Sequence, residues 1–243
     1  MFALKIENVN KSFKEIKALD NVSLQIECKK LYGLLGVNGA GKTTLINIIT
    51  GLIKKDSGKV FVYGNDLDTE SGKIKRLVNV STQEVAIAGN LTVKENLEFF
   101  CNVYDVPTYP KVEEIVEQFG LKEVINQKAK TLSGGWKRRL SIAIAIVSNP
   151  KILFLDEPTL GLDVLARRDL WKVINSLKSK TTIILTSHYL EEIEHLCDEV
   201  AILSKGKVLE TGTIEEIMMR NECNTFEDAF VKAVEGGVNN END

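Results

Sequence analysis

Apolar residues recur at nearly every second position early in the chain. Leu4, Ile6 and Val9 almost keep this rhythm, and Val22, Leu24 and Ile26 keep it strictly, as strands with one buried face do. Residues 31–35 form a short apolar strand that runs into a glycine-rich turn. A helix is expected over 42–50, with Gly51 as its stop, and a strand over 59–63. The middle is helical in pattern. Thr92-x-x-Glu95 is a capping box ahead of Leu97, Phe99 and Phe100. Pro110 sits where a helix can begin and Gly120 where one can end. Residues 136–147 predict a helix, basic early and apolar late.

Strand and helix then alternate. Strands are expected over 152–155 and 182–186, and helices over 164–177 and 189–196. A hairpin turns at Lys205-Gly206. Two capped helices follow, at Thr213-x-x-Glu216 and Thr225-x-x-Asp228. The pattern predicts an α/β chain organised as a single domain over 1–243. Its core of strands and helices takes residues 1–83 and 151–243, and a helical insertion takes 84–150.

Composition narrows the function classes. With 44% hydrophobic and 27% charged residues among 243, a disordered or fibrous chain is excluded. A net charge of -3 lacks the basic excess usual in nucleic-acid binders. The longest apolar runs, such as 142–147, fall well short of the ~18 residues that span a bilayer. The first residues lack the apolar stretch of a signal peptide. Cys28, Cys101, Cys197 and Cys223 are far apart, and His188 and His195 are the only histidines. That pattern predicts reduced thiols, with neither a disulfide frame nor a zinc site.

One segment carries specific chemistry. Gly36-Val37-Asn38-Gly39-Ala40-Gly41-Lys42-Thr43 fits G-x-x-x-x-G-K-[ST], between a predicted strand and a predicted helix. Glycines let the backbone N–H groups wrap a phosphate, and the helix N-terminus adds partial positive charge. Lys42 is placed to reach the β- and γ-phosphates, and the Thr43 hydroxyl to ligate Mg²⁺. Thr44 follows in the same binding turn. Farther on, the apolar strand 152–155 ends in Asp156-Glu157-Pro158. Carboxylates belong at the carboxyl end of a buried strand, where doubly wound sheets bind ligands. Asp156 suits the Mg²⁺ shell, and Glu157 suits a water-polarising role at the γ-phosphate.

A second phosphate-type turn decides the class. Leu132-Ser133-Gly134-Gly135-Trp136 opens a predicted helix and resembles the LSGGQ signature of ABC-type ATPases. Gln83 matches the Q-loop glutamine, Gly161-Leu162-Asp163 the D-loop, and His188 the switch histidine. Phe13 falls where the family places an aromatic ring against adenine. The resemblance covers nearly the whole chain, from about Leu4 to the tail. Two positions depart from it: Trp136 replaces the usual Gln, and Thr82 rather than Pro precedes Gln83. These departures bear on dimer geometry and turnover rate.

The resemblance implies a P-loop NTPase fold with a mixed sheet, an N-terminal antiparallel β subdomain and an inserted α-helical subdomain. It implies ATP and Mg²⁺ as ligands, with Thr43, Gln83 and Asp156 around the metal. Phe13, residues 36–44 and Gln83 would hold ATP. Glu157, His188 and Lys42 would carry catalysis. Ser133, Gly134, Gly135 and Asp163 would close on ATP held by a second ATPase subunit, a copy of this chain or a related one. A transmembrane permease would dock on the helical part near 84–100, placing the chain peripherally at the cytoplasmic face of the membrane. Residues 90–97 and 226–230 are similar to the branch that exports drugs, antibiotics or polysaccharides. The alternatives are an importer subunit and a soluble ABC ATPase acting on nucleic acid or ribosomes. A P-loop GTPase would need Asn-Lys-x-Asp, and Asn10-Lys11-Ser12-Phe13 lacks the Asp.

Overall fold

The computed structural model describes residues 1–239. Strands β1 (Phe2–Phe13) and β2 (Ile16–Glu27) form an antiparallel hairpin. β4 (Ser57–Val62) and β5 (Asn65–Asp66) extend it into a four-stranded sheet of order β2-β1-β4-β5. The slip in the Leu4, Ile6, Val9 rhythm is a bulge. The register shifts between Ile6 and Val9, where Asn8 takes φ 51°.

The second sheet contains β3 (Leu31–Leu35), β6 (Val78–Ser81), β7 (Ile152–Asp156), β8 (Thr182–Ser187), β9 (Glu199–Ser204) and β10 (Lys207–Gly212). Its order is β10-β9-β3-β8-β7-β6, parallel except for the β9–β10 hairpin. β3, β7 and β8 are buried throughout because both their faces are covered. Leu34, Phe154 and Ile184 pack toward α1 (Lys42–Ile49) and the antiparallel sheet. Leu35, Leu153, Leu155 and Ile183 pack toward the helices on the other face.

Residues 84–150 contribute α3 (Val93–Val103), α4 (Thr108–Gln118) and α5 (Gly134–Ile146). The Thr92 capping box forms as expected, with Glu95 N donating to Thr92 Oγ1 over 3.1 Å and Thr92 N to Glu95 Oε2 over 2.7 Å. α5 is buried along most of its length, from Leu140 to Ile146, and anchors the helical part to the sheet. It begins two residues before the expected start, because Ser133 caps it. α6 (Val164–Leu177) and α7 (Leu190–Leu196) cover the same face. α8 (Ile214–Arg220) and α9 (Phe226–Asn239) follow β10. The pattern did not reveal α2 (Ser71–Leu77), which buries only Ile74. Among the described residues, no helix is long and apolar enough to cross a membrane.

Candidate functional site

Four adjacent parallel strands, in the order β3-β8-β7-β6, each end in a segment singled out by the sequence. β3 runs into Gly36, β8 into His188, β7 ends at Asp156 before Glu157, and β6 leads to Gln83. The registers Leu35↔Ser187, Asp156↔Thr186 and Ser81↔Leu155 bring these carboxyl ends level. At the ordinary spacing between strands, the four loops share an edge about 15 Å wide. The 36–44 loop, Asp156, Glu157, His188 and Gln83 therefore lie along one edge of the sheet.

The loop over 36–43 is shaped by steric necessity at two glycines. A Cβ on Gly36 would strike Leu203 O. Gly41 takes φ 105°, and a Cβ there would lie 2.7 Å from Ala18 O. Ala40 N donates to Val37 O over 3.1 Å, and Gly206 N to Ala40 O over 3.1 Å, tying the loop to the β9–β10 turn. Lys42 curls back, its Nζ donating to Gly36 O over 2.5 Å and Val37 O over 3.3 Å. The ammonium is thus centred in the loop. Burial pulls its pKa down, while the Glu157 and Asp156 carboxylates push it back up. Val37, Asn38, Gly39 and Thr43 face solvent, and Thr44 is half-buried.

Asp156 is buried, and its Oδ1 accepts from Thr186 Oγ1 over 2.6 Å. Glu157 follows at φ 46°, a left-handed backbone that turns its side chain out of the strand. Its N–H donates to Thr186 O and to Thr186 Oγ1. Its Oε2 lies 3.0 Å from His188 Nδ1. The acidic residue and the histidine therefore meet, although 31 positions separate them in the chain. Thr186, which orients both acidic residues, carries no motif signal of its own.

The other predicted positions lie apart from this edge. Phe13 sits at the tip of the β1–β2 hairpin, 46% exposed, with Lys11 Nζ 5.3 Å from its ring centroid. It is therefore not a core residue. Ser133 and Gly134 are exposed at the start of α5, and Gly135 is half-buried. A Cβ on Gly134 would lie 3.8 Å from Leu162 Cδ2, so this turn adjoins the 161–163 segment. Asp163 caps α6, accepting from Leu165 N over 3.0 Å and Ala166 N over 2.9 Å. Among the described residues, no hydrogen bond or ion pair joins 133–135 or Asp163 to the 36–44 loop of the same chain. Trp136 packs on the helical core, with the Arg139 guanidinium 4.9 Å from its ring centroid.

Sequence reasoning missed two buried charged residues here. Arg138 is held in a cage of main-chain carbonyls behind Glu157 and Gln83. Glu192 lies beneath the same turn, accepting from Trp171 Nε1 over 3.2 Å. A signal existed for Arg138. It shares the i, i+3, i+4, i+7 face of Ser141, Ile142 and Ala145, all buried.

Residues 19–160 match the ABC transporter family. The chain belongs to that family. It is 35% identical over 240 residues to the probable multidrug ABC transporter ATP-binding protein YbhF of Escherichia coli, covering 95% of this chain and 41% of that protein. The chain thus spans less than half the length of this relative. It is also 35% identical over 225 residues to the lipopolysaccharide export system ATP-binding protein LptB of Haemophilus influenzae, covering 90% of this chain and 93% of LptB. A dimeric, post-hydrolysis ATP-binding cassette bound to ADP and Pi superimposes with a TM-score of 0.77 at 27% identity, covering 86% of this chain and 98% of that one. Its mixed sheet, antiparallel N-terminal sheet and helices form the P-loop NTPase fold the family implies.

Proposed function

We propose that this ABC ATPase is the motor subunit of a membrane exporter and that it works with a separate permease. The alignment of four ligand-type loops on one sheet edge carries the nucleotide part of this reading. The exporters among its relatives carry the rest. In this reading, Phe13 stacks on adenine, and the 36–44 loop wraps the phosphates by its N–H groups. Lys42 moves from carbonyl oxygens to the β- and γ-phosphates. Glu157 accepts a proton from the attacking water, and His188 beside it donates toward the γ-phosphate.

Mg²⁺ fits the oxygen donors of Thr43, Gln83 and Asp156. They are hard ligands, and only one is charged, which leaves positions for phosphate and water. Among the described residues, no cluster of three or more His, Cys, Asp or Glu competes for a metal. When bound, the ion would neutralise charge on the phosphates.

Ser133, Gly134, Gly135 and Asp163 serve a second ATPase subunit in trans. Val37, Leu160, Val164 and Leu165 expose apolar surface along the loops that such a partner would cover. We read residues 84–150 as a subdomain whose exposed Phe99 and Val103 on α3, with Tyr104 at its C-terminus, receive the permease. That contact would hold the chain at the cytoplasmic face of the membrane, with no nucleic acid involved.

The test is Mg-ATP turnover of wild type and Glu157→Gln. Loss of general-base assistance is expected to cost at least about 100-fold in kcat. Equal rates would sink the catalytic assignment.

A further inference from the structure

One guanidinium joins three parts of the molecule that the chain keeps far apart. Arg138 lies in the second turn of α5 and is 4% exposed. Its Nη1 donates to Thr82 O over 2.5 Å and to Gln83 O over 3.4 Å. Nη2 donates to Asp156 O over 2.6 Å and Glu157 O over 2.8 Å, and Nε to Pro158 O over 2.8 Å. All five acceptors are main-chain carbonyls. Two belong to the loop carrying Gln83 and three to the turn carrying Glu157.

We propose that Arg138 is a positioning residue that locks the Gln83 loop and the Glu157 turn to the helix opened by Ser133-Gly134-Gly135, so that hydrolysis depends on the seating of that helix. The proposal rests on the reading of Glu157 as the base. A guanidinium is planar, always charged, and presents its donors in a fixed fork. Its bonds therefore specify angles as well as distances, which flexible contacts would not do. The Glu157 backbone is the part most in need of such fixing. It turns through φ 46°, and its N–H is already held by Thr186 on the opposite side. With its carbonyl on Arg138 and its N–H on Thr186, the peptide on each side of Glu157 is clamped. A shift of α5 is then passed to Glu157 and Gln83 together.

Burial supports the same conclusion. It lowers the Arg138 pKa, and the Asp156, Glu192 and Glu157 charges only partly restore it. Each bond goes to a neutral carbonyl rather than to a carboxylate. A buried charge held in this way is costly, and a well-packed apolar side chain is often the more stable choice at such a site. What the guanidinium adds is a defined geometry.

The experiment compares wild type, Arg138→Lys, Arg138→Ala and Glu157→Gln for Mg-ATP kcat, KM and the rise in melting temperature caused by ATP. Arg138 touches no predicted nucleotide contact except through main chain. The expected result for Arg138→Ala is a kcat at least about tenfold lower, with KM within about threefold and the ATP-induced rise retained. Arg138→Lys keeps the charge but loses the fork, and its kcat is expected to fall between the two. If Arg138→Ala does not fold, Arg138→Lys is judged by the same separation of kcat from KM. An unchanged kcat, or a KM that rises in step with the loss of kcat, would overturn the proposal. An inactive Glu157→Gln beside fully active Arg138 variants would overturn the positioning role alone. An active Glu157→Gln would instead remove the reading on which it rests.

Discussion

Glu192 carries the least expected residue-scale consequence. It sits fully buried on α7, with Oε1 on Trp171 Nε1 and no partner at Oε2. Thr159 Oγ1, in the turn after Glu157, is also buried without a partner. Burial pushes the Glu192 pKa up, and the Trp171 hydrogen bond and the Arg167 charge oppose this more weakly. A carboxyl with a raised folded pKa holds its proton more tightly when folded. Its stabilising contribution is complete below the unfolded value near 4.5 and is lost as pH rises through the folded value. Glu192→Gln keeps the shape without the charge. Its melting temperature relative to wild type is therefore expected to climb as pH rises above about 4.5, by about 2–4 °C for each kcal/mol of charge burial removed. Parallel melting curves across that range would show that Glu192 does not titrate there. Glu192 and Arg138 were not legible as site residues, because a charged side chain on an otherwise buried helix face is read by default as solvated. For Arg138 the buried helix face was a signal that this default overrode, whereas for Glu192 only the packing of the turn over it reveals that it is inside.

At the scale of elements, the sequence was most legible where local chemistry is self-sufficient. Thr92 with Glu95 and Thr213 with Glu216 form capping boxes at the helix starts where the spacing placed them. Thr92→Ala removes the acceptor for Glu95 N and is expected to cost about 1 kcal/mol. The melting temperature should then fall by about 2–4 °C, measurable by calorimetry. A fall beyond about twice that would mean Thr92 also supports the isolated bridge it makes with Lys128. Helix α6 was expected over the same residues the structure shows, because Asp163 caps it and its apolar face repeats cleanly. Helix α2 was not legible, since one buried residue leaves no periodicity to detect. The strand ending before Gln83 is polar at Asn79 and Ser81. Only pairing with β7 makes it a strand, and Asn79 is held by side-chain bonds to Ala145 O over 2.9 Å and Tyr104 Oη over 3.1 Å.

At the scale of the molecule, the proposed exporter function would place coupling to a permease on the helical face around α3. Phe99 is exposed, and its ring meets Phe100 edge-on at 5.2 Å, while Phe100 stacks toward Tyr104 at 6.3 Å. A charge at Phe99 would disturb docking without reaching the nucleotide edge. Phe99→Glu is expected to abolish co-purification of a polytopic membrane protein with the tagged chain from detergent-solubilised membranes. The ATP-induced rise in melting temperature should be retained. Retention of the partner at wild-type stoichiometry would move the docking site elsewhere.

The sequence by itself determined the residue types of the chemistry. Glycines at 36 and 41, Lys42, the paired acids at 156 and 157, and the Ser-Gly-Gly turn each need a particular side chain, or the lack of one, and composition along the chain records that directly. It also marked residues 152–155 as a strand covered on both faces, because an unbroken apolar run requires it. Only the tertiary structure decided which loops meet. Chain order runs β3, β6, β7, β8, whereas the sheet places β8 between β3 and β7. That insertion sets His188 against Glu157 and lets Thr186 orient both acids. Strand order depends on which pairs bury the most surface on both sides of the sheet at once. That is a property of the whole packed chain, and no local pattern carries it.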